Sequence, residues 1–278
     1  LKNEIQIGIN ALAKFTSGKI HLNTHKNKEC KDLQGLSGVQ YNEFSGPHPS
    51  GLVGIQIHHI DPINKGDVVW TIHPQHLAFI GRLLSSGKLD LSQRVVVTGS
   101  ELERPAYYAC RLGVSVDSML RDNIKSNNVR VISGNVLTGT KISSEGYLGY
   151  FHQQISVIPE GDQYEFLGWL LPSYPRPTIS NSLPISKFLK KTFKVNTNLH
   201  GEERAYVVSG QYEQVLPMDI LPVQLIKAIM AGDLDKMEKL GIYEVIEEDM
   251  ALCEFVCTSK IEVQSILSEG IELMAEEG

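Results

Sequence analysis

Two cysteines near the C-terminus, Cys253 and Cys257 in EEDMALCEFVCTSK (residues 247–260), have the spacing of the last two ligands of an iron-sulfur loop. A cubane cluster is held by thiolates spaced C-x2-C-x2-C-x3-C, so that each sulfur reaches one corner of the cube. Counted back from Cys257, the third ligand position is Cys253, the second is Met250 and the first is Glu247. Two thiolates alone close neither a tetrahedral site nor a cubane. The segment therefore reads as the remains of a ligand loop, with both cysteines packed as small apolar side chains and no metal ligand assigned.

Five of the nine histidines, His48, His58, His59, His73 and His76, fall close together with Asp61 among them. No HExxH or comparable spacing links them. They read as hydrogen-bonded boundary residues: His58 and His59 face opposite sides if their segment is a strand, and His73 and His76 bracket a strand-to-helix junction where capping is routine.

The loop FSGPHPSGLVG (residues 44–54) follows a predicted strand. Its glycines would let backbone amides approach an anion, which makes Ser45, Gly46, His48, Ser50 and Gly51 a candidate ligand or partner loop. It is neither GxGxxG nor GxxxxGK[ST], so nucleotide binding is not supported. In ISKFLKKTFK (185–194), a helical wheel puts Lys187, Lys190, Lys191 and Lys194 on one arc and Ile185, Phe188, Leu189 and Phe193 on the other. Such a helix either docks on an anionic surface or partner, or covers a core with its lysines in water. No Ser/His/Asp or Cys/His nucleophile arrangement has spacing support, and no carboxylate pair stands out.

The elements that must position these groups follow from periodicity. Ile5, Ile9, Leu12, Ala13 and Phe15 recur at helical spacing, KIHLNTH and VQYNEF alternate as strands, GLVGIQIHHI reads as a buried segment, and VVWTIH as a third strand. Pro74 opens a helix that runs to Gly87. This order predicts a layered α/β domain with a largely parallel sheet. From RVVVTG to YEFLGWL, short strands punctuated by glycine surround one short helix, VSVDSMLRD, with Ser115 as its cap, in a β-grasp-like layout. LPSYPRPTISNSLP reads as a linker. Beyond it come amphipathic helices, one broken at Gly232 and restarted by Asp233 as N-cap, and a last one from Ile261 to Met274.

With 42% hydrophobic and 21% charged residues in 278, the composition is that of a globular protein large enough for two or three domains. A net charge of −6 argues against a general nucleic-acid binder. Four scattered cysteines favour a reducing compartment, and no signal peptide or run of about 18 apolar residues is present. Because the chain begins at Leu1, it is expected to be a fragment lacking an N-terminal part.

FSGPHPSGLVGIQIHHIDP, RVISGNVLTG, YLGYFHQQISVIPEG, EFLGWL, MDILP and ALCEFVC, in this order, resemble the A-subunit family of the bacterial sodium-translocating NADH:quinone reductase. The likeness to the C subunit of Rnf complexes and the flavin subunit of complex I is more distant. The resemblance implies an α/β plus α+β architecture. Residues 1–92 would be an incomplete Rossmann-like domain and 93–170 a β-grasp domain of the soluble-ligand-binding type. Residues 171–204 would be a linker with the basic helix, and 205–278 a helical domain resembling a degenerate iron-sulfur domain. It implies a peripheral subunit on the cytoplasmic side of the bacterial inner membrane, within a complex that moves electrons from NADH to quinone and drives sodium transport. This chain would carry no cofactor and contribute to quinone binding and assembly, with NADH, flavins and the iron-sulfur centre on other peripheral and membrane-embedded subunits. Two rival classes remain: a redox subunit holding a cluster or flavin itself, and a non-redox β-grasp interaction module.

Overall fold

A computed structural model describes residues 1–163 and 192–278. The chain divides into two compact units, one of Leu1–Gln93, Val215–Asp249 and Leu267–Gly278, the other of Arg94–Gln214 and Met250–Ile266.

In the first unit, helix α1 (Lys2–Leu12) and strand β1 (His21–His25) precede strand β2 (Gln40–Phe44), helix α2 (Val53–Ile60) and helix α3 (Pro74–Ser86). β1 and β2 pair in parallel, in register from His21 opposite Gln40 to His25 opposite Phe44. Parallel neighbours need a crossover connection. α1 packs on α3 through Ile5, Ile9, Leu77 and Ala78, with Leu36 closing the cluster. α3 begins and ends as the sequence predicts: His73 caps it by accepting from Gln75 N, and Gly87 ends it in a left-handed conformation, φ 68°.

The later part of this unit is helical. α5 (Pro222–Met230) buries Val223, Leu225, Ile226 and Ile229. After Gly232 (φ 65°), Asp233 accepts from Lys236 N and starts α6 (Leu234–Lys239), as its residue type predicts. α7 (Glu247–Val256) and α8 (Val263–Glu277) complete the helices; the division between the units falls within both.

The second unit holds a five-stranded sheet in the order β4-β3-β7-β5-β6, from β3 (Ser92–Thr98), β4 (Ala106–Arg111), β5 (Val129–Ser133), β6 (Thr140–Ile142) and β7 (Gln154–Pro159). β3 runs parallel to β7, while β5 is antiparallel to both β6 and β7. Burial alternates along β3, which places Val95 and Val97 in the core, and the single-turn helix α4 (Asp117–Leu120) adds Met119 and Leu120. One short helix set against a small mixed sheet is the predicted β-grasp layout. Two buried or half-buried carboxylates pin residues 194–197 to this unit: Glu101 pairs with Lys194, and Glu160 takes Arg130, Lys141 and the Thr197 hydroxyl.

Several local expectations are corrected. VVWTIH is not a strand: residues 67–73 make no ladder, and Val68 and Trp70 are 76% and 90% exposed. A strand exists only through its partner's hydrogen bonds, so apolar alternation alone does not make one. GLVGIQIHHI is not a wholly buried segment. From Val53 it is the amphipathic helix α2, with only Ile55 fully buried. Its two adjacent histidines therefore sit about 100° apart on a helix rather than on opposite strand faces. Ser115 does not cap α4, whose N-cap is Val116 without a side-chain bond; Ser115 instead bridges Tyr147. YEFLGWL, the linker, and the basic segment up to Lys191 lie outside the described residues.

Candidate functional site

The loop singled out from sequence leaves the carboxyl end of β2 and enters α2, where ligands of α/β sheets are usually met. Ser45, Gly46, His48 and Gly51 are exposed and Ser50 is half-buried. Amide side chains tie this loop to the sheet. Asn42 donates to Asn23 Oδ1 (2.9 Å), Asn23 to Gln56 Oε1 (2.9 Å), and Gln56 Nε2 to the Ser50 carbonyl (3.4 Å). Two backbone donors of the loop are already used internally: Ser50 N reaches Pro47 O (3.0 Å) and Leu52 N reaches Pro49 O (2.8 Å).

The N-terminus of α2 has no cap of its own, since Leu52 occupies the N-cap position. The side chain that meets it is Asp249 of α7. The Asp249 carboxylate lies against Gly54, where any Cβ would fall inside it, and close to the Ile55 amide. It also accepts from Ile246 N (3.2 Å), while Asp249 N donates to Ile246 O (3.1 Å), so the same group closes the first turn of α7. One carboxylate thus caps the first turn of α7 and lies against the first turn of α2, and helix N-termini favour negative charge.

Asp249 is 1% exposed, and its Oδ1 has no hydrogen-bond partner. Burial pushes its carboxyl up from 3.8 to about 6; Glu248 adds to the rise, and the Ile246 and Ile55 amides and His58 oppose it. A folded-state value above the unfolded one favours the protonated form. The stabilisation is complete below about pH 4 and is lost as pH rises through about 6, an effect of about 3 kcal/mol at the limits. Asp249→Asn should flatten stability between pH 4 and 7, read from urea midpoints at several pH values. A slope unchanged from that of the parent chain would refute this. Glu160 acts in a different window: held at about 2 chiefly by Arg130, it stabilises above about pH 4.5 and ceases to do so as pH falls through 2.

The histidines of α2 are structural ties. Asp219 N donates to His58 Nε2 (3.0 Å), which leaves the proton on Nδ1 to be donated to Glu244 (2.7 Å). His59 Nε2 donates to Pro217 O (3.0 Å). Burial lowers the pKa of both His73 and His76. Among the described residues no cluster of three or more His, Cys, Asp or Glu side chains could hold a metal ion.

The four positions of the cluster motif fall on a regular helix and its exit. Glu247 opens α7, Met250 and Cys253 are buried within it, and buried Cys257 follows its last residue. At about 1.5 Å per residue, Glu247 and Cys257 are about 15 Å apart along the axis, too far for one cube without unwinding. Burial raises the Cys253 thiol to about 12, with Glu213 and Cys257 adding to the effect, so it stays protonated and is a poor ligand. Tyr206 and Tyr212 stack near this pair (centroids 6.0 Å apart), and the Tyr212 hydroxyl lies beside the Cys257 thiol. Glu247→Cys with Met250→Cys is therefore expected to bind far less than one cluster per chain under anaerobic reconstitution. Stoichiometric iron with visible absorption would refute this.

Of the lysines of the basic segment only Lys194 is described, and it is engaged by the buried Glu101 carboxylate. Among the described residues no helix is long and apolar enough to cross a membrane. Sequence reading missed Asp249 and Gly54. The acidic run Glu247, Glu248, Asp249 does signal a helix start, but nothing local says that its third carboxylate also reaches α2.

Two family descriptions match the chain: the NqrA second alpha/beta domain over residues 1–89 and the NQRA C-terminal domain over 95–144, together half of its length. Curated relatives named as the A component of the Na(+)-translocating NADH-quinone reductase align along nearly all of it. The protein of Yersinia pseudotuberculosis is 39% identical over 98% of this chain and 61% of its own. That of Serratia proteamaculans is 41% identical over 98% and 60%, and that of Rhodopirellula baltica 37% over 100% and 61%. The chain thus spans about three fifths of the length of these relatives. With two NqrA family descriptions matching half of its length and relatives 37–41% identical aligned over 98% of it or more, this chain belongs to the NqrA family, the A subunits of Na(+)-translocating NADH-quinone reductases.

Proposed function

We propose that this chain is a peripheral subunit of a sodium-pumping NADH:quinone oxidoreductase, on the cytoplasmic side of the bacterial inner membrane. It contributes to quinone binding and reduction and to assembly, and is not active by itself. The observation that carries the reading is the alignment with the NqrA relatives over 98% of the chain. In the same reading the chain holds no redox cofactor, and NADH, flavins and an iron-sulfur centre belong to partner subunits. That part is supported by Glu247 and Met250 at two of the four cluster positions and by the protonated, buried Cys253 thiol. Lys187, Lys190 and Lys191 are the proposed docking face, with Lys194 anchoring the segment through Glu101.

The test uses the complete complex. Removing this subunit should abolish inhibitor-sensitive quinone reduction, whereas full quinone reduction with unchanged inhibitor sensitivity would exclude the quinone role. In parallel, the triple charge reversal Lys187→Glu, Lys190→Glu, Lys191→Glu should lower co-purification with membrane subunits. Unchanged yield counts against the docking face alone.

A further inference from the structure

We infer that residues 68–72 (VVWTI) are an open strand position in the first unit, and that its occupant is a parallel β-strand of the same protein, contributed by length beyond residues 1–278. Every side chain in the stretch is β-branched or aromatic, the types that favour strands. Laid out as a strand it would be apolar at Val68, Trp70 and Ile72 on one face and at Val69 on the other, the pattern of a parallel strand covered on both sides. Yet Val68 and Trp70 are 76% and 90% exposed, and Val69 and Ile72 are exposed as well. Among the described residues no group bonds to the backbone of 68–72. The flanking bonds stop at Asp67 N to Asn64 O (3.0 Å) on one side and Leu77 N to His73 O (3.0 Å) on the other. This stretch thus offers unpaired N–H and C=O groups together with apolar side chains, which is what an added strand satisfies.

The order of elements sets the direction of the occupant. β2, α2, residues 68–72 and α3 follow one another as strand, helix, stretch and helix, the order of parallel strands joined by crossover helices. Among the described residues the sheet they would extend has only β1 and β2, paired in parallel, and no residue of either is buried. Parallel sheets occur with both faces covered and with more strands than two. A copy related by a two-fold axis would bring the same stretch alongside antiparallel, so it does not fit. Length for the added strand exists in the relatives, of which this chain spans about three fifths. The pairing goes beyond the quinone role and stands whether or not that role holds.

Hydrogen exchange read by mass spectrometry tests the pairing on the 278-residue chain, on the complete gene product purified apart from other subunits, and on the assembled complex. Amides 68–72 should exchange without protection in the first and be slowed about 100-fold or more in the second, with no further change in the third. A photo-crosslinker replacing Trp70 should join the complete product to a segment of itself outside residues 1–278. Trp70→Glu should move the thermal midpoint of the 278-residue chain by less than about 2 °C and lower that of the complete product by roughly 8 °C. If that variant of the complete product does not fold, the exchange rates of the parent decide. Slow exchange in the 278-residue chain, or fast exchange in all samples, overturns the inference. Protection only in the complex gives the position to a partner subunit, and protection lost on dilution gives it to a second copy. A gene product no longer than 278 residues leaves no occupant, and each of these results also overturns the inference.

Discussion

Gly81→Ala is expected to lower the stability of the chain by about 3 kcal/mol, with a fall of roughly 10 °C in the thermal midpoint. α1 and α3 cross in close contact: a Cβ at Gly81 would overlap the Glu4 carbonyl, and one at Gly8 would press on the Leu77 side chain and carbonyl. The obstacle at Gly81 is backbone, which cannot rotate away. Relief requires the helices to part, which uncovers Ile5, Ile9, Leu77 and Ala78. Against this stands the gain of about 1 kcal/mol that alanine brings to a helix interior, so overpacking of about 4 kcal/mol sets the sign. Gly87→Ala is the control. That glycine ends α3 with φ 68°, and a Cβ there would meet nothing within 4 Å, so only the left-handed backbone opposes it, at about 1 kcal/mol. Equal midpoints for the two variants would show that α1 and α3 are not packed as described.

Tyr212 gives the second large effect, in the other unit. It is among the largest fully buried side chains and stands beside Tyr206 and Cys257. Tyr212→Ala removes a buried ring and should cost about 4 kcal/mol. Tyr212→Phe keeps the ring and deletes only a hydroxyl that has no well-formed hydrogen bond, so it should change stability by less than about 1 kcal/mol. Thiol labelling gives an independent readout. In the parent chain exposed Cys30 should react fast, half-buried Cys110 slowly, and buried Cys253 and Cys257 not at all under native conditions. Tyr212→Ala should bring Cys257 into reach of the reagent and Tyr212→Phe should not. Unchanged labelling in a folded Tyr212→Ala chain would refute the packing described for the cysteine pair.

The parts legible in the sequence were those written into short-range patterns. The start of α3 at Pro74 and its stop at Gly87, the Asp233 cap after Gly232, and the alternation of β3 all follow from residue type and spacing over a few positions. The two vacant cluster positions at Glu247 and Met250 could likewise be counted without any structure. VVWTIH failed for the opposite reason, since its apolar alternation satisfies the local rule while no strand is there to complete it. GLVGIQIHHI failed because a short apolar run does not distinguish strand from helix, and its amphipathic face became visible only once packed.

By itself the sequence determined helices α1, α3 and α5 and, through segments shared in order with its relatives, the family, while the stretch read as a ligand loop proved to be helix α7. Only the tertiary structure decided how far-apart residues are used. It brought Asp249 to Gly54 at the head of α2, engaged Lys194 with the buried Glu101, and set Cys253 within α7 and Cys257 just past its end, beside the Tyr212 hydroxyl. The physical reason is the range of the interactions. Helix starts, turns and strand faces are set by backbone sterics and hydrogen bonds within a few residues. A buried charge needs partners wherever the chain can place them, and those partners are fixed by packing.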